Sequence, residues 1–307
     1  MDLSALVTEQ RNPNSMLLDG MNVQDILQVI NHEDRKVPDA VAQVLQEIER
    51  AILRIVAALQ QGGRLFYVGA GTSGRLGALD AAECIPTYRT PPEMIQAIVA
   101  GGPKAMIRAV ENVEDDEEQG ALELKYRALT SADVVMGIAA SGRTPFTIGA
   151  LRYAREVGSF TIGLSCNRNA ELSRFADCPI EVIVGPEVIS GSTRMKAAAA
   201  QKMILTMIST TAMIKIGKTY ENLMVDVHAT NRKLVERAKR IVMESTGVDH
   251  DEAENVLVQT GFEVKPAIVI LLAGVSAGQA KKALASCGGY VRSAIETAIS
   301  NKNINNT

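Results

Sequence analysis

Hydrophobic and polar positions along the middle of the chain alternate between two repeating patterns. Short, nearly continuous apolar runs are typical of strands buried on both faces of a sheet, whereas apolar positions spaced three or four residues apart are typical of amphipathic helices. Strands are predicted at 64–68, 94–100, 133–139, 159–165 and 179–184, with helices between them at about 74–82, 104–111, 117–129 and 145–157. Because strand–helix alternation implies βαβ units, we expect an α/β fold with a five-stranded parallel sheet sandwiched by helices.

The chain on both sides of this region is predicted to be helical. A short helix at 22–31 and a long helix at 37–59 come before the sheet, and a long helical region at 192–243 follows it. Capping boxes at Asp249-x-x-Glu252 and Ser276-x-x-Gln279 begin helices of a small C-terminal bundle, and the polar tail from Asn301 is expected to fray. The predicted domains are 1–56 (N-terminal helices), 57–220 (the sheet domain) and 221–307 (a helical region with the small bundle).

The first candidate site follows the first predicted strand. Residues 69–75 read Gly-Ala-Gly-Thr-Ser-Gly-Arg and lead from that strand into a helix. Glycines let the backbone turn tightly and approach a ligand, and the free N–H groups of a helix N-terminus attract an anion. Gly71 with the hydroxyls of Thr72 and Ser73 therefore predicts a phosphate-binding loop, and a tight turn without a ligand is the structural alternative.

The same glycines fit G-x-G-x-x-G, the fingerprint of dinucleotide-binding proteins. That fingerprint predicts an acidic residue about 20 positions further on, at the end of the second strand, to hold a ribose. The second predicted strand ends instead in Gly101-Gly102. A phosphorylated small molecule is therefore favoured over NAD.

Two further loops combine hydroxyl groups with glycine. One follows the third predicted strand and leads to Pro145, and the other precedes the long helix after the fifth strand. Since ligands of such sheets bind beyond the carboxyl ends of the strands, we expect the first two loops to converge on one rim. The alternative is that these serines and threonines only cap helices. The substrate-binding candidates are Gly71, Thr72, Ser73, Ser141, Gly142, Arg143, Thr144, Ser192 and Thr193.

Composition excludes several classes of function. The net charge is −3, and acidic and basic residues are mixed along the chain. The chain therefore lacks the clustered positive charge that is typical of nucleic-acid-binding proteins. We find no apolar run of about 18 residues and no signal peptide, so we expect no membrane association and a cytoplasmic location with reduced thiols. The four cysteines and three histidines have no metal-ligand spacing, so no metal is expected.

Several stretches together resemble a known family. Residues 69–75 and 141–145 are similar to the sugar isomerase (SIS) domain, a flavodoxin-like fold that binds phosphosugars. More narrowly, the chain from about residue 20 to about 295 resembles the N-acetylmuramic acid 6-phosphate etherases. The stretches that carry this resemblance are 79–88, 109–115, 191–197 and 222–227.

The resemblance implies a cofactor-free homodimer, to which the methionine-rich long helix would also contribute contacts. It further implies cleavage of the lactyl ether of a 6-phosphorylated N-acetylmuramic acid, giving N-acetylglucosamine 6-phosphate and D-lactate. A base removes the proton on carbon 2 of the open-chain sugar, an acid protonates the departing lactate oxygen, and water adds at carbon 3.

The resemblance assigns this chemistry to Glu83 and Glu114. We expect Glu83 to be the acid, because it is predicted at a helix C-terminus, where the helix dipole favours a protonated carboxyl group. Glu114 is then the base, although a solvated acidic loop is the simpler interpretation of its surroundings. Glu83 would lie about 15 Å along the helix from the phosphate loop, which suggests that it serves a neighbouring subunit.

Two other functions remain open at this point. The mammalian glucokinase regulatory protein is similar in architecture, so a sugar-phosphate sensor without turnover is one alternative. An aldose–ketose isomerase is the other, because the same domain hosts that chemistry.

Overall fold

The computed structural model describes residues 6–227 and 232–305. The chain divides into two compact units. The first contains the chain up to Ala82 together with Pro92–Ser209, and the second contains Glu83–Pro91 and the chain from Thr210 onward.

A parallel sheet forms the centre of the first unit. In the described part of the chain its five strands lie in the order β2-β1-β3-β4-β5, and every neighbouring pair is parallel. The strands β1 and β3 are buried along their whole length, as their continuous apolar sequences predict. The predicted sheet is thus confirmed. The strands are β1 (Leu65–Gly69), β2 (Ile95–Val99), β3 (Val134–Ile138), β4 (Phe160–Ser165) and β5 (Cys178–Glu181).

Helices cover both faces of this sheet. Phe66 and Val68 of β1 share a buried cluster with Phe146 of α6. Tyr67, between them, points to the opposite face because side chains alternate along a strand, and its hydroxyl donates to Asp80 of α4 at 3.0 Å. The helices are α1 (Val23–Asp34), α2 (Lys36–Ala42), α3 (Leu45–Gln60), α4 (Gly71–Tyr88), α5 (Glu117–Tyr126), α6 (Pro145–Val157) and α7 (Lys196–Lys215), of which α4 and α7 contribute residues to both units.

The second unit is a helical bundle with a short hairpin, and it has its own core around Val242, Leu257 and Ile268. The predicted capping box of Ser276 and Gln279 is present at the start of α11. Asp249 caps α9 by accepting from the N–H of Glu252. The elements are β6 (Thr219–Tyr220), β7 (Leu223–Met224), α8 (Arg232–Thr246), α9 (His250–Gln259), α10 (Val264–Ala273), α11 (Ala277–Ser286) and α12 (Val291–Asn305).

The predicted helix at 104–111 is wrong. A 3-10 helix covers Gly102–Met106, and the chain then turns until α5 begins. Gly101 and Gly102 both have positive φ and Pro103 follows them, so the backbone enters this segment in a conformation from which an α-helix does not start.

The continuous helical region predicted up to residue 243 is also wrong. Gly217 with φ of +79° ends α7, and the antiparallel strands β6 and β7 follow. Glu221 makes the turn between them with φ of +51°, a conformation for which glycine or asparagine is the usual sequence signal. Residues 228–231 of the predicted helix lie outside the described residues.

Helix boundaries differ from the prediction in several places. The helix predicted at 37–59 is two helices, α2 and α3, with a break at Gln43 and Val44 that neither glycine nor proline marks. Helix α4 extends beyond residue 82 to Tyr88. The tail from Asn301, predicted to fray, continues α12 to Asn305.

Helix α7 is long and apolar enough to cross a membrane by length and composition, which the sequence analysis did not find. The bent pair α9–α10 passes the same test only if it is counted as one span. However, 56% of the apolar stretch of α7 is buried inside the protein, and the core helix of a soluble protein passes this test equally well.

Candidate functional site

The first two hydroxyl loops begin at the carboxyl ends of adjacent strands. The strands β1 and β3 are paired in parallel, with Gly69 beside Ile138 at the ends where the loops start. The loops that carry Ser73 and Ser141 therefore leave the same rim of the sheet, where open α/β sheets bind their ligands.

Close backbone packing fixes both loops. A Cβ on Gly74 would lie 2.4 Å from the carbonyl oxygen of Gly69, so α4 packs against the end of β1 only with glycine there. Gly142 has φ of +70°, and a Cβ on it would lie 2.4 Å from the Cβ of Ala170. These glycines let each loop turn back on its strand within a short distance.

The hydroxyl group of Ser73 forms a hydrogen bond with α7, the helix that follows the third loop. Its Oγ lies 2.9 Å from Oε1 of Gln201 on α7, and both side chains are buried. Gly71 and Thr72 on the same turn are more exposed than Ser73. Ser73 lies inside α4 rather than at the N-cap position before it, so helix capping does not explain this hydroxyl.

The second loop presents side chains at the start of α6. Ser141 Oγ accepts a hydrogen bond of 3.2 Å from the main-chain N–H of Arg143. Thr144 occupies the N-cap position of α6, yet its side chain makes no capping hydrogen bond. Ser141, Arg143 and Thr144 are all half-buried. The simple capping interpretation therefore does not account for Thr144 either.

Asn167, which the sequence analysis missed, anchors the second loop. This residue is buried just beyond the end of β4. Its Nδ2 donates to the carbonyl oxygen of Ala140 at 3.1 Å and to that of Ser141 at 3.3 Å. The same nitrogen donates to Oγ1 of Thr8 at 3.0 Å. The N-terminal segment and the Ser141 loop are thus joined through one side chain.

The third loop is positioned by a buried carboxylate. Glu187 accepts from the main-chain N–H groups of Lys196 at 3.0 Å and Ala197 at 2.8 Å, and so caps α7. Burial raises the pKa of Glu187 above its usual value. Helix α7 therefore begins at Lys196 and not at Ser192 as predicted, and Ser192 and Thr193 lie half-buried in the loop before it without capping it.

A buried ion pair joins the first turn of α7 to α1. Lys196 Nζ lies 2.6 Å from Glu33 Oε2, and both side chains are 1% exposed. Burial alone would raise the pKa of Glu33, but hydrogen bonds from Lys196, Lys36 and Asn14 outweigh it and hold that pKa well below the usual range.

Glu114 lies beside the second loop. The main-chain N–H of Phe146, in the first turn of α6, donates to the carbonyl oxygen of Glu114 at 3.0 Å. Three residues further on, Glu117 forms an ion pair of 2.6 Å with Arg152 of α6. The Glu114 side chain remains exposed on this fixed backbone.

Glu83 lies in the second unit, on the part of α4 beyond Ala82. Its side chain is exposed. Because α4 continues to Tyr88, Glu83 is more than one turn from the helix C-terminus, and the expectation that it ends the helix is wrong. The argument from the helix dipole for its protonated state therefore does not apply.

Three family profiles match successive parts of the chain. The N-terminal SIS domain of glucokinase regulatory protein matches residues 47–155, and the SIS domain matches residues 112–215. The C-terminal lid domain of glucokinase regulatory protein matches residues 221–269.

The chain is 55% identical over 295 residues to the N-acetylmuramic acid 6-phosphate etherases of Yersinia pestis and Yersinia pseudotuberculosis. The similarity covers 96% of this chain and 100% of each relative. The chain belongs to the N-acetylmuramic acid 6-phosphate etherase family. The resemblance seen in the sequence is confirmed, and so is the SIS fold with a helical lid domain after it.

Solved structures outside the etherase family share the fold. A phosphoheptose isomerase from Neisseria gonorrhoeae superposes with a TM-score of 0.50 at 16% identity. The match covers 62% of this chain and 98% of the isomerase. At this identity the likeness concerns the sheet and its helices, and it does not transfer a reaction.

The chain leaves β2 through Ala100 and Gly101, so the strand end has no carboxylate for a ribose. Within residues 6–227 and 232–305, no three His, Cys, Asp or Glu side chains are grouped to hold a metal ion.

Proposed function

We propose that this member of the etherase family cleaves the lactyl ether of N-acetylmuramic acid 6-phosphate. The products are N-acetylglucosamine 6-phosphate and D-lactate. In the open-chain sugar the aldehyde acidifies the proton on carbon 2, and a base removes it. An acid then protonates the ether oxygen as the bond to carbon 3 breaks, and water adds to the resulting double bond at carbon 3.

The observation that carries this proposal is the similarity to etherases over 96% of the chain. An SIS sheet alone hosts isomerases, regulators and other proteins, so the fold by itself would not select a reaction. The similarity extends well beyond the sheet, since 295 residues are aligned.

The hydroxyl loops are proposed to hold the 6-phosphate. Serine and threonine hydroxyls and main-chain N–H groups at helix starts all donate to phosphate oxygens. Two independent features support the assignment: the first two loops leave adjacent strands, and Thr144 makes no capping hydrogen bond. The proposed phosphate ligands are Gly71, Thr72, Ser73, Ser141, Gly142, Arg143, Thr144, Ser192 and Thr193.

Glu114 is proposed as the base at carbon 2 and Glu83 as the acid on the lactate oxygen. The hydrogen bond from Phe146 supports Glu114, because it holds the main chain of Glu114 beside the Ser141 loop. For Glu83 the support is the family resemblance alone. We further propose that it acts in the site of a neighbouring subunit.

A homodimer in the cytoplasm completes the proposal. Large apolar side chains are exposed on and before α1, with Leu17 72%, Val23 74% and Leu27 60% exposed, and a second copy of the chain would cover them. The cysteines of the described residues are all free thiols, as a reducing compartment would keep them. Light scattering of the purified protein tests the dimer.

The proposed reaction is tested by incubating the purified protein with N-acetylmuramic acid 6-phosphate and measuring D-lactate. Release of lactate at a rate proportional to protein concentration is the expected result, and the Glu83→Gln/Glu114→Gln double variant should release none. Binding of the phosphosugar without lactate would identify a sensor instead. Formation of a ketose phosphate without lactate would identify an isomerase.

A further inference from the structure

The side chains of Ser73 and Gln201 form a hydrogen bond inside the first unit that conflicts with phosphate binding. Ser73 Oγ donates to Gln201 Oε1 at 2.9 Å. Ser73 is 8% exposed and Gln201 is 1% exposed, so water does not readily replace this contact. The pair also connects α4 with α7, and therefore the first loop with the helix that follows the third.

A serine hydroxyl has one proton to donate. Phosphate oxygens are acceptors, so Ser73 can bind the substrate phosphate only by donating that proton to it. In the orientation described, the proton is already donated to Gln201 Oε1. Ser73 cannot serve both acceptors at once.

The other end of the Gln201 amide has no partner. Its Nε2 is buried and makes no hydrogen bond within the described part of the chain. An amide NH₂ group and a carbonyl oxygen are nearly equal in size, so a half-turn about the last side-chain bond exchanges them without changing the packing. After that half-turn Nε2 donates to Ser73 Oγ, and the Ser73 proton is released.

We propose that Gln201 is a positioning residue that directs the Ser73 proton onto the substrate phosphate. With Oε1 facing Ser73 the hydroxyl is withheld, and with Nε2 facing it the hydroxyl is both held in place and free to donate. This inference rests on the assignment of Ser73 to phosphate binding in the proposed function. Gln201 acts through Ser73 and does not touch the substrate.

Two substitutions of Gln201 by residues of similar size test separately the donor and the acceptor functions of its amide group. In Gln201→Glu, measured at a pH high enough to ionise the buried carboxyl group, the carboxylate can only accept and keeps the Ser73 proton. The dissociation constant for inorganic phosphate and the KM for the phosphosugar should then each rise at least about tenfold. In Gln201→Met the proton is not withheld but the hydroxyl is no longer held, so a smaller rise is expected. In both variants kcat should change much less than KM.

A double-mutant cycle with Ser73→Ala distinguishes this positioning role from a purely structural one. If Gln201 acts through Ser73, the Gln201→Met substitution should not change phosphate affinity further in the Ser73→Ala background. An equal loss in both backgrounds would overturn the proposal. Gln259→Glu, on the exposed end of α9, adds the same charge elsewhere and should leave phosphate affinity unchanged.

The pH dependence gives a second criterion. At low pH the introduced carboxyl group of Gln201→Glu becomes protonated and can again donate to Ser73 Oγ. Phosphate affinity, expressed relative to the unmodified chain at each pH, should therefore recover on acidification for Gln201→Glu and not for Gln201→Met. No recovery, together with additive effects in the cycle, would contradict the proposal.

Calorimetric measurement of inorganic phosphate binding distinguishes a failure of the proposed reaction from a failure of the proposed role of Gln201. If the unmodified chain binds phosphate but releases no lactate, the proposed reaction fails while the Gln201 test still stands. If lactate is released and the 73–201 coupling is zero, only the role of Gln201 fails.

Discussion

The main-chain N–H of Phe146 donates a hydrogen bond of 3.0 Å to the carbonyl oxygen of Glu114. Phe146 is buried in the first turn of α6, directly after the loop that carries Ser141 and Thr144. This bond ties the main chain of the exposed acidic loop at Glu114 to the start of the helix. The contact sets the position of the main chain at Glu114, whose carboxylate is proposed as the base.

The first prediction concerns the two glutamates. Glu114→Gln should lower the rate of lactate release by roughly 10²–10⁴-fold, which is the usual effect of removing a positioned acid or base. It should also abolish exchange of the carbon-2 proton with deuterated water. Glu118→Gln, a change of an exposed neighbour, is the matched control and should retain activity.

Glu83→Gln should affect only one of these two measurements, because the proposed base, Glu114, is still present in that variant. Lactate release should fall by a similar factor, whereas exchange at carbon 2, followed by proton NMR, should persist. If instead Glu83→Gln abolishes the exchange and Glu114→Gln does not, the two roles are reversed. Unchanged lactate release in both variants would favour the sensor.

The second prediction concerns the phosphate loops. Ser141→Ala removes a hydroxyl that we assign to the substrate phosphate. Substrate binding should weaken by about 1–3 kcal/mol, since hydrogen bonds to a charged group are strong. The KM should rise while kcat changes little, whereas Ser300→Ala on the exposed end of α12 should have no effect. An unchanged KM in Ser141→Ala would remove this residue from the site.

The third prediction concerns Asn167. In Asn167→Asp a carboxylate replaces the amide group that donates to the carbonyl oxygens of Ala140 and Ser141. Repulsion between these oxygens should displace the loop and raise the KM about tenfold, through loss of about one hydrogen bond to phosphate. Asn22→Asp, which keeps an effective cap on α1, is the control. Equal KM values for the two variants would show that Asn167 does not position the loop.

The fourth prediction concerns the buried pair of Glu33 and Lys196. Lys196→Met should lower the free energy of unfolding by up to about 3–5 kcal/mol, because it removes the buried one of the two lysines that pair with the buried Glu33 carboxylate and leaves only Lys36. Urea denaturation at pH 7 measures this effect. Adding Glu33→Gln should recover part of the loss, and a double variant that is less stable than Lys196→Met would contradict this account.

The same pair has a predicted pH dependence. Folding lowers the pKa of Glu33, so between the folded and unfolded pKa values the unfolded chain binds more protons. The stabilisation is therefore complete above the usual glutamate pKa and decreases as the pH falls below it. The difference in stability between the unmodified chain and Glu33→Gln should shrink between pH 7 and pH 3.

The sheet and its loops could be predicted from the sequence because their signals are local. Continuous apolar runs mark β1 and β3, and glycines with hydroxyls follow each of them directly. Helix ends were less predictable. Helix α4 continues past Pro86 to Tyr88, and the turn at Glu221 uses a positive φ without glycine.

The supporting contacts of the site could not be predicted, because they join distant parts of the chain. Gln201 is 128 residues from Ser73, and Asn167 is 159 residues from Thr8. Neither side chain belongs to a spacing motif, and each gains its role only when β1, β3 and β4 are placed side by side. Glu187 caps α7 from a loop whose serines and threonines are, by sequence alone, the expected helix caps.

The central claim is that the chain cleaves an ether by elimination followed by addition of water. It is tested most directly by reacting N-acetylmuramic acid 6-phosphate in deuterated water and analysing the products by mass spectrometry and NMR. We predict D-lactate in equal amount to an N-acetylglucosamine 6-phosphate that carries deuterium at carbon 2. Lactate accompanied by a product without deuterium at carbon 2, or no lactate at all, would contradict the account.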